Sequence, residues 1–246
     1  MRPMAAHPKP DPSLGVFETT LVVHSAPVAL EAHLARLETS LQALYGMGLP
    51  ARARQLATER AEGLELGRLR LTVAPDDGEL AYEVEASELD RSLHFPRHPV
   101  ALHPHTVGGG LGCHKWVDRA AIPAKGSDEV PLLVDGEEAL EAAWANVFAV
   151  RKGALFTPPL DGRILPGVTR STVIELAKAQ GVEVVEAHLT VAELQEAGEI
   201  FLTNSIRGLV AVGSVDGTPL ESKRPCTRSF GSALRASWGL APIPAS

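Results

Sequence analysis

Cys113 and Cys226 are the only cysteines in 246 residues, too few for a disulfide framework and typical of a reducing compartment. No apolar run approaches the length needed to span a bilayer. Residues 1–13, rich in Pro, His and Lys, lack the apolar core of a secretory signal. The chain also lacks a basic surplus. A net charge of -7 and a pI near 5.7 exclude a non-specific nucleic-acid binder, which must displace counterions with a cationic footprint. Any anionic ligand must be held by local arginines and backbone amides. No repeat or low-complexity tract is present, and the expectation is a cytoplasmic protein with an ordinary globular balance: 45% hydrophobic and 22% charged residues.

The first half reads as helix and hairpin. Leu30, Leu34, Leu37, Leu41 and Leu44 recur at three- and four-residue steps, predicting a helix over 29–45 capped by Gly46. A second helix is expected over 51–61, after a β-rich stretch at 16–23. Leu69, Leu71 and Val73, then Leu80, Tyr82, Val84 and Ala86, alternate around Pro75-Asp76-Asp77-Gly78 and predict a hairpin. The segment 96–112, dense in Pro, His and Gly, reads as a link between halves.

The second half is strand-rich. Strands are expected at 130–134, 138–142, 146–150, 154–157, 199–203 and 209–215, with Asp135-Gly136 and Lys152-Gly153 as turns. A helix is expected over 169–180, closed by Gly181. Thr190-Val191-Ala192-Glu193 matches a capping box, and residues 241–246 read as a frayed tail.

Four stations carry chemistry. Lys115 follows Gly108-Gly109-Gly110-Leu111-Gly112-Cys113-His114 and precedes Trp116. Its amine can form a Schiff base with an aldehyde if burial or neighbouring cations hold it partly neutral, though most lysines are solvated surface charges. Glu141 stands among Leu140, Ala142, Ala143, Trp144 and Phe148. It is either a carboxylate awaiting a cationic partner, such as a protonated ring nitrogen, or an edge-strand residue facing water. Leu165-Pro166-Gly167-Val168-Thr169-Arg170 feeds a helix N-terminus, which suits a phosphate cradle or an ordinary capped turn. Thr203-Asn204-Ser205 ends a buried strand and either completes that cradle or simply turns the chain.

Other constellations fail. Cys113-His114-Lys115-Trp116 breaks the Gly-Lys-Ser/Thr succession of a nucleotide P-loop. The spacing of His103, His105, Cys113 and His114 matches no standard zinc pattern, so no metal is expected. No Gly-x-Ser-x-Gly elbow and no zincin helix occurs.

Taken in order, seven segments resemble the class IV aminotransferase family, the pyridoxal-phosphate enzymes that include branched-chain and D-amino acid aminotransferases and aminodeoxychorismate lyase. They are Phe17-Glu18-Thr19-Thr20, the run 33–40, His114-Lys115-Trp116-Val117-Asp118-Arg119, Glu141 with Asn146-Val147-Phe148, Thr157-Pro158-Pro159-Leu160, the run 165–170 and the run 201–208. The resemblance spans nearly the whole chain.

It implies an α+β fold of two α/β domains of the D-amino acid aminotransferase-like type, a smaller one over 1–107 and a larger, strand-rich, cofactor-binding one over 108–246. The cofactor, pyridoxal 5'-phosphate, would sit in the cleft between them, and a homodimer would complete the pocket. Lys115 is similar to the Schiff-base lysine and proton shuttle of the family, and Glu141 to the partner of the pyridine nitrogen. Arg36, by position alone a helix-surface arginine beside the leucine stripe, resembles the phosphate-binding arginine. Gly167, Val168, Thr169, Asn204 and Ser205 complete the implied cofactor set, and Thr19, Arg119 and Arg207 are the implied substrate contacts.

Two departures stand out. The approach to the Phe-Glu-Thr motif is reduced to Ser13-Leu14-Gly15, and Asp118 replaces the usual Asn of the lyase-like members, which predicts an added negative charge near the site. The Lys-x-x-x-Arg pattern and Asn204-Ser205-Ile206-Arg207-Gly208 are more similar to the folate-pathway lyases. The implied activity is conversion of 4-amino-4-deoxychorismate to 4-aminobenzoate and pyruvate. The alternatives are an aminotransferase of branched-chain or D-amino acids and a degenerate, non-catalytic binding protein.

Overall fold

Leu34, Leu37 and Leu41 form one apolar stripe on α1 (Leu30–Tyr45), and all three are buried. Gly46 ends the helix with a left-handed φ of 68° that turns its N–H back to the Gln42 carbonyl. α2 (Ala51–Ala61) buries only Ala53, Ala57 and Ala61, small side chains that let it lie close on its sheet. That sheet consists of β1 (Val16–Val23), β2 (Ala26–Pro27), β3 (Leu66–Asp76) and β4 (Glu79–Glu88), in the order β2-β1-β3-β4. The computed structural model describes residues 9–123, 126 and 128–241. Of the expected frayed tail, all but Ala241 lies outside these residues.

β3 and β4 close on Asp77-Gly78, both with positive φ, a two-residue turn that matches strand twist. The turn is tighter than the expected four residues, because Pro75 pairs with Leu80 inside the ladder.

The larger sheet contains β5 (Val100–Thr106), β6 (Glu129–Asp135), β7 (Glu138–Ala142), β8 (Asn146–Arg151), β9 (Ala154–Thr157), β10 (Val184–Glu186), β11 (Leu189–Thr190), β12 (Glu199–Asn204) and β13 (Gly208–Val215). Their order is β10-β9-β8-β12-β13-β5-β6-β7-β11, and β14 (Thr218–Pro219) pairs with β13. The segment 96–112 is therefore not a link throughout, since β5 lies inside the sheet, parallel to both β13 and β6. Pro104 concealed it. The β13 pairing stops at Leu102, so Pro104 sits where only the β6 side is paired and its missing N–H disrupts no ladder on the other.

α3 (Val168–Ala179) and α5 (Pro225–Ser237) pack together over β12 and β13 around Phe148, Val173, Phe201, Phe230 and Leu234. Sequence periodicity gave α3 to within a residue but left α5 unnoticed, although Thr227, Phe230, Gly231 and Leu234 fall on its buried face. α4 (Val191–Gln195) begins with the expected capping box, in which the Thr190 hydroxyl accepts from Glu193 N–H and the Glu193 carboxylate accepts from Thr190 N–H. No helix among the described residues is long and apolar enough to cross a membrane.

The two sheets join along β1. Phe17 N–H donates to the Lys115 carbonyl (2.9 Å), Val117 N–H to the Gly15 carbonyl (3.1 Å), and Leu21 and Val23 enter the core of the larger sheet. The sheet junction thus fixes the backbone on both sides of Lys115. Phe230, 2% exposed, anchors α5 at this shared core. Phe230→Ala should cost about 3–5 kcal/mol in urea unfolding. A loss below about 1 kcal/mol would mean that α5 is not packed as described.

Candidate cofactor and active site

All eleven residues singled out in the sequence line one cavity of about 450 Å³ between the two sheets. Its first wall starts from a buried carboxylate. Glu18 on β1 receives Arg36 of α1 two-handed, Nε to Oε1 and Nη2 to Oε2, both at 2.7 Å, and His33 Nδ1 stands 2.8 Å from Oε2. Burial raises the Glu18 carboxyl, but the Arg36 charge and the His33 and Arg36 hydrogen bonds outweigh it and bring the pKa to about 2. Arg36 Nη1 also donates to the Pro166 carbonyl at 2.9 Å. With three of its five N–H groups so engaged, Arg36 is fixed beside the start of α3 and keeps donors for an anion.

The N-cap of α3, Gly167, gives no side-chain bond to the helix amides, so no side chain competes with a ligand there. A Cβ at Gly167 would come 1.9 Å from Asn146 Oδ1, which explains the glycine by close approach. The Thr169 and Ser205 hydroxyls lie 3.2 Å apart across this end of the cavity. Asn204 also lines it, but its amide serves the chain: Nδ2 donates to the Trp144 carbonyl, and Oδ1 accepts from Ile206 and Arg207 N–H. Asn204 shapes the turn that presents Ser205.

Lys115 and Glu141 occupy the middle. Lys115 Nζ sits 4.9 Å from the Phe17 ring centroid. Burial, then the charge of Arg36, lowers its pKa to about 8. Burial raises Glu141 to about 7, against a hydrogen bond from Leu165 N–H at 3.2 Å and the charges of Lys115, Arg119 and Arg36. Asn146 Nδ2 stands a further 3.4 Å from the same carboxylate. Of the two readings of Glu141, the solvent-facing one is excluded, since the residue is 8% exposed. The amine and the carboxylic acid both exchange protons near neutrality, which is what proton-transfer groups require.

The opposite wall was missed in the sequence. Arg68 and Arg70 leave β3 on the face away from Leu69, Leu71 and Val73, so the alternation that predicted the hairpin also aims two arginines into the cavity. Arg70 lies 3.7 Å over the Phe17 ring, opposite Thr19 in the ladder, and its Nε donates to Thr72 Oγ1 at 3.2 Å. Arg119 Nη2 donates to the Ala143 carbonyl, and the Arg207 guanidinium lies 4.9 Å over the Trp144 ring. Among the described residues Arg68, Arg70 and Arg207 form no ion pair.

One expectation is corrected. Asp118 adds no charge to the cavity wall. Its carboxylate accepts from Asp11 N–H and Ala120 N–H, both at 2.9 Å, on the exposed side of the chain. Of the glycines before Lys115, Gly110 is required by packing: it abuts the Arg163 carbonyl, 2.1 Å from where its Cβ would stand, and has a φ of 69°.

The sequence model of the amino-transferase class IV family matches residues 15–107 and 113–215. The chain belongs to the class IV aminotransferases. Among relatives of this class IV chain, the chloroplastic branched-chain-amino-acid aminotransferase 5 of Arabidopsis thaliana is 44% identical over 123 residues, 46% of this chain and 30% of that one. The match therefore spans less than a third of that relative's length. Two solved structures align far more completely. A PLP-bound hypothetical aminotransferase from Mycobacterium tuberculosis has a TM-score of 0.79 at 25% identity, over 92% of this chain and 88% of that one. The 4-amino-4-deoxychorismate lyase of Pseudomonas aeruginosa has a TM-score of 0.76 at 26% identity, over 90% of each chain.

The class IV family uses pyridoxal phosphate, and this cavity fits it. A lysine of lowered pKa, a buried carboxyl and an uncapped helix start beside Arg36 are the groups such a cofactor needs, and the Thr203 hydroxyl on the same wall is buried with no partner among the described residues.

The raised pKa of Glu141 has a measurable consequence. The folded chain holds its proton more tightly than the unfolded one, so stability contributed by the protonated form is lost as pH rises from 4.5 through about 7. Glu141→Gln should remove that decline, giving a flatter Tm between pH 5 and 7 than the wild type. An identical decline in both proteins would contradict the assignment.

Proposed function

We propose that this chain is a pyridoxal-phosphate-dependent lyase that converts 4-amino-4-deoxychorismate to 4-aminobenzoate and pyruvate, as a cytoplasmic homodimer. The carrying observation is the charge of the cavity. In a protein of net charge -7, its lining holds Arg36, Arg68, Arg70, Lys115, Arg119 and Arg207 against one carboxylate, Glu141. One phosphate accounts for Arg36 and the start of α3. The remaining guanidiniums line the same cavity, where a substrate with two carboxylates would engage them. An aliphatic amino acid, with a single carboxylate and an apolar tail, leaves most of them without a counter-charge. We further take the chain as two domains, with the seam moved from the expected 107/108 to the segment between the end of β4 at Glu88 and the start of β5 at Val100, because β5 belongs to the larger sheet.

When bound, pyridoxal phosphate supplies an aldehyde for an amine and an electron-withdrawing ring. In this reading Arg36, the Val168 and Thr169 amides and the Thr169 and Ser205 hydroxyls hold its phosphate, and Glu141 holds its ring nitrogen. Arg119 and Arg207 clamp the substrate carboxylates, with Thr19 beside them. Lys115, with a pKa near 8, has an appreciable neutral fraction at working pH and takes the proton from the amine-bearing carbon of the substrate ring. Breaking the neighbouring carbon–oxygen bond expels the enolpyruvyl group, which leaves as pyruvate while the ring becomes aromatic.

A second reading keeps the same first steps. If Lys115 delivers the proton to the cofactor side, the product is a keto acid and the enzyme an aminotransferase. The branched-chain name of the Arabidopsis relative favours that course.

The test is acceptor dependence. Protein supplied with 4-amino-4-deoxychorismate and no keto acid should release pyruvate, and strict need for an acceptor would overturn the lyase reading. No visible absorbance band on adding pyridoxal phosphate would overturn both and leave a non-catalytic protein. Arg207→Ala should raise KM for the dianionic substrate about tenfold or more, as expected for the loss of a charged hydrogen bond. An unchanged KM would remove Arg207 from the carboxylate clamp.

A further inference from the structure

The histidine-bearing segment 94–105 takes no part in the chemistry above, yet His94 is buried, at 8% exposure. Its ring stacks on Trp238 at the end of α5 (centroids 5.9 Å apart) and meets Phe95 edge-on at 4.7 Å. Nδ1 lies 2.6 Å from the Ile206 carbonyl oxygen. A carbonyl only accepts, so Nδ1 carries the proton. Nε2 is buried with no hydrogen-bond partner among the described residues. The surroundings therefore suit a neutral ring protonated on Nδ1, and burial, ahead of the Arg235 charge, lowers the pKa in the same sense, against the hydrogen bond to Ile206.

That bond closes a fully tied turn. Phe95 N–H donates to the Arg207 carbonyl at 2.9 Å. Asn204 Oδ1 accepts from Ile206 N–H at 2.8 Å and Arg207 N–H at 3.0 Å. Gly208, at a φ of 68°, lies under the Phe95 ring, which stands 2.4 Å from where a Cβ would be. Residues 204–208 are thus gripped from outside by His94 and Phe95, while their inner side presents the Ser205 hydroxyl to Thr169 and the Arg207 guanidinium to Trp144.

We propose that His94 is a positioning residue for the anion-binding end of the cavity: its Nδ1–H, by fixing the Ile206 carbonyl, holds Ser205 and Arg207 in their binding orientation. The proposal rests on the reading of Ser205 as a phosphate contact. It gives the 88–100 seam a second role, because the segment joining the sheets also clamps the phosphate turn.

Three substitutions separate the donor from the ring. His94→Phe keeps an aromatic against Trp238 and loses the N–H. His94→Asn keeps an N–H close to the Nδ1 position and loses the ring. His94→Gln carries its N–H out to the Nε2 position, where the Ile206 carbonyl is beyond reach. The full-length proteins are titrated with pyridoxal phosphate by absorbance and with inorganic phosphate by calorimetry, and their Tm values are measured alongside.

The Phe and Gln variants should bind both ligands about tenfold more weakly, as expected for a lost buried hydrogen bond. The Asn variant should bind within about twofold of wild type in spite of a lower Tm from the lost stacking. A merely structural histidine gives a different pattern, in which Tm follows the ring and affinity is unchanged in all three variants, and that result overturns the proposal. If His94→Phe fails to fold, the Asn and Gln pair gives the same comparison. Wild-type protein that binds neither ligand overturns the cofactor reading and this assignment together, whereas tight binding by every variant overturns this assignment alone.

Discussion

The site depends first on one buried ion pair. Glu18 is 4% exposed and is stable as an anion only because Arg36 meets it with two N–H groups and His33 with a third contact. Because Glu18 belongs to β1 and Arg36 to α1, the pair locks the first helix onto its sheet. Because Arg36 also reaches the Pro166 carbonyl, the same guanidinium fixes where the next half of the chain begins α3. Removing either partner would leave a buried charge and detach the phosphate end of the cavity from the small sheet.

Burial then sets the chemistry around that anchor. It lowers the pKa of Lys115 and raises that of Glu141, moving an amine and a carboxyl from opposite ends of the scale to within about a unit of each other, about 8 and about 7. Both shifts are destabilising for the charged form, so the fold carries an electrostatic strain at the place where protons must move. The arginines in the cavity have the same character: burial and then the charge of Arg68 lower the pKa of Arg70, and burial and then the charge of Arg70 lower that of Arg119, against the charge of Glu141. Their mutual repulsion is relieved when an anion binds, which couples ligand affinity to the stability of this half of the molecule.

Much of this was legible in the sequence, for identifiable reasons. The leucine stripe of α1, the alternation of β3 and β4 and the capping box at Thr190 are local patterns, and local patterns survive folding. β5 was not legible, because Pro104 is a poor strand residue whose tolerance depends on where β13 stops pairing, a tertiary fact. Arg68 and Arg70 were visible as residues but not as a wall, since their face of β3 reads as solvent until the cavity forms beside it, and Arg68 stays exposed even there. Asp118 was misplaced for the converse reason: proximity in sequence to Lys115 suggested proximity to the cavity, while the backbone turns its carboxylate toward Asp11. The family resemblance named the eleven cavity residues, and the geometry supplied their supports, Glu18, His33, Asn146 and His94.

The central claim is that this cavity holds pyridoxal phosphate against Lys115. Incubation with the cofactor, reduction with borohydride and mass mapping of the peptides tests it directly. The account predicts one label per chain, on Lys115, lost in Lys115→Ala and weakened in Arg36→Ala. A label spread over surface lysines, or no label at all, would contradict it.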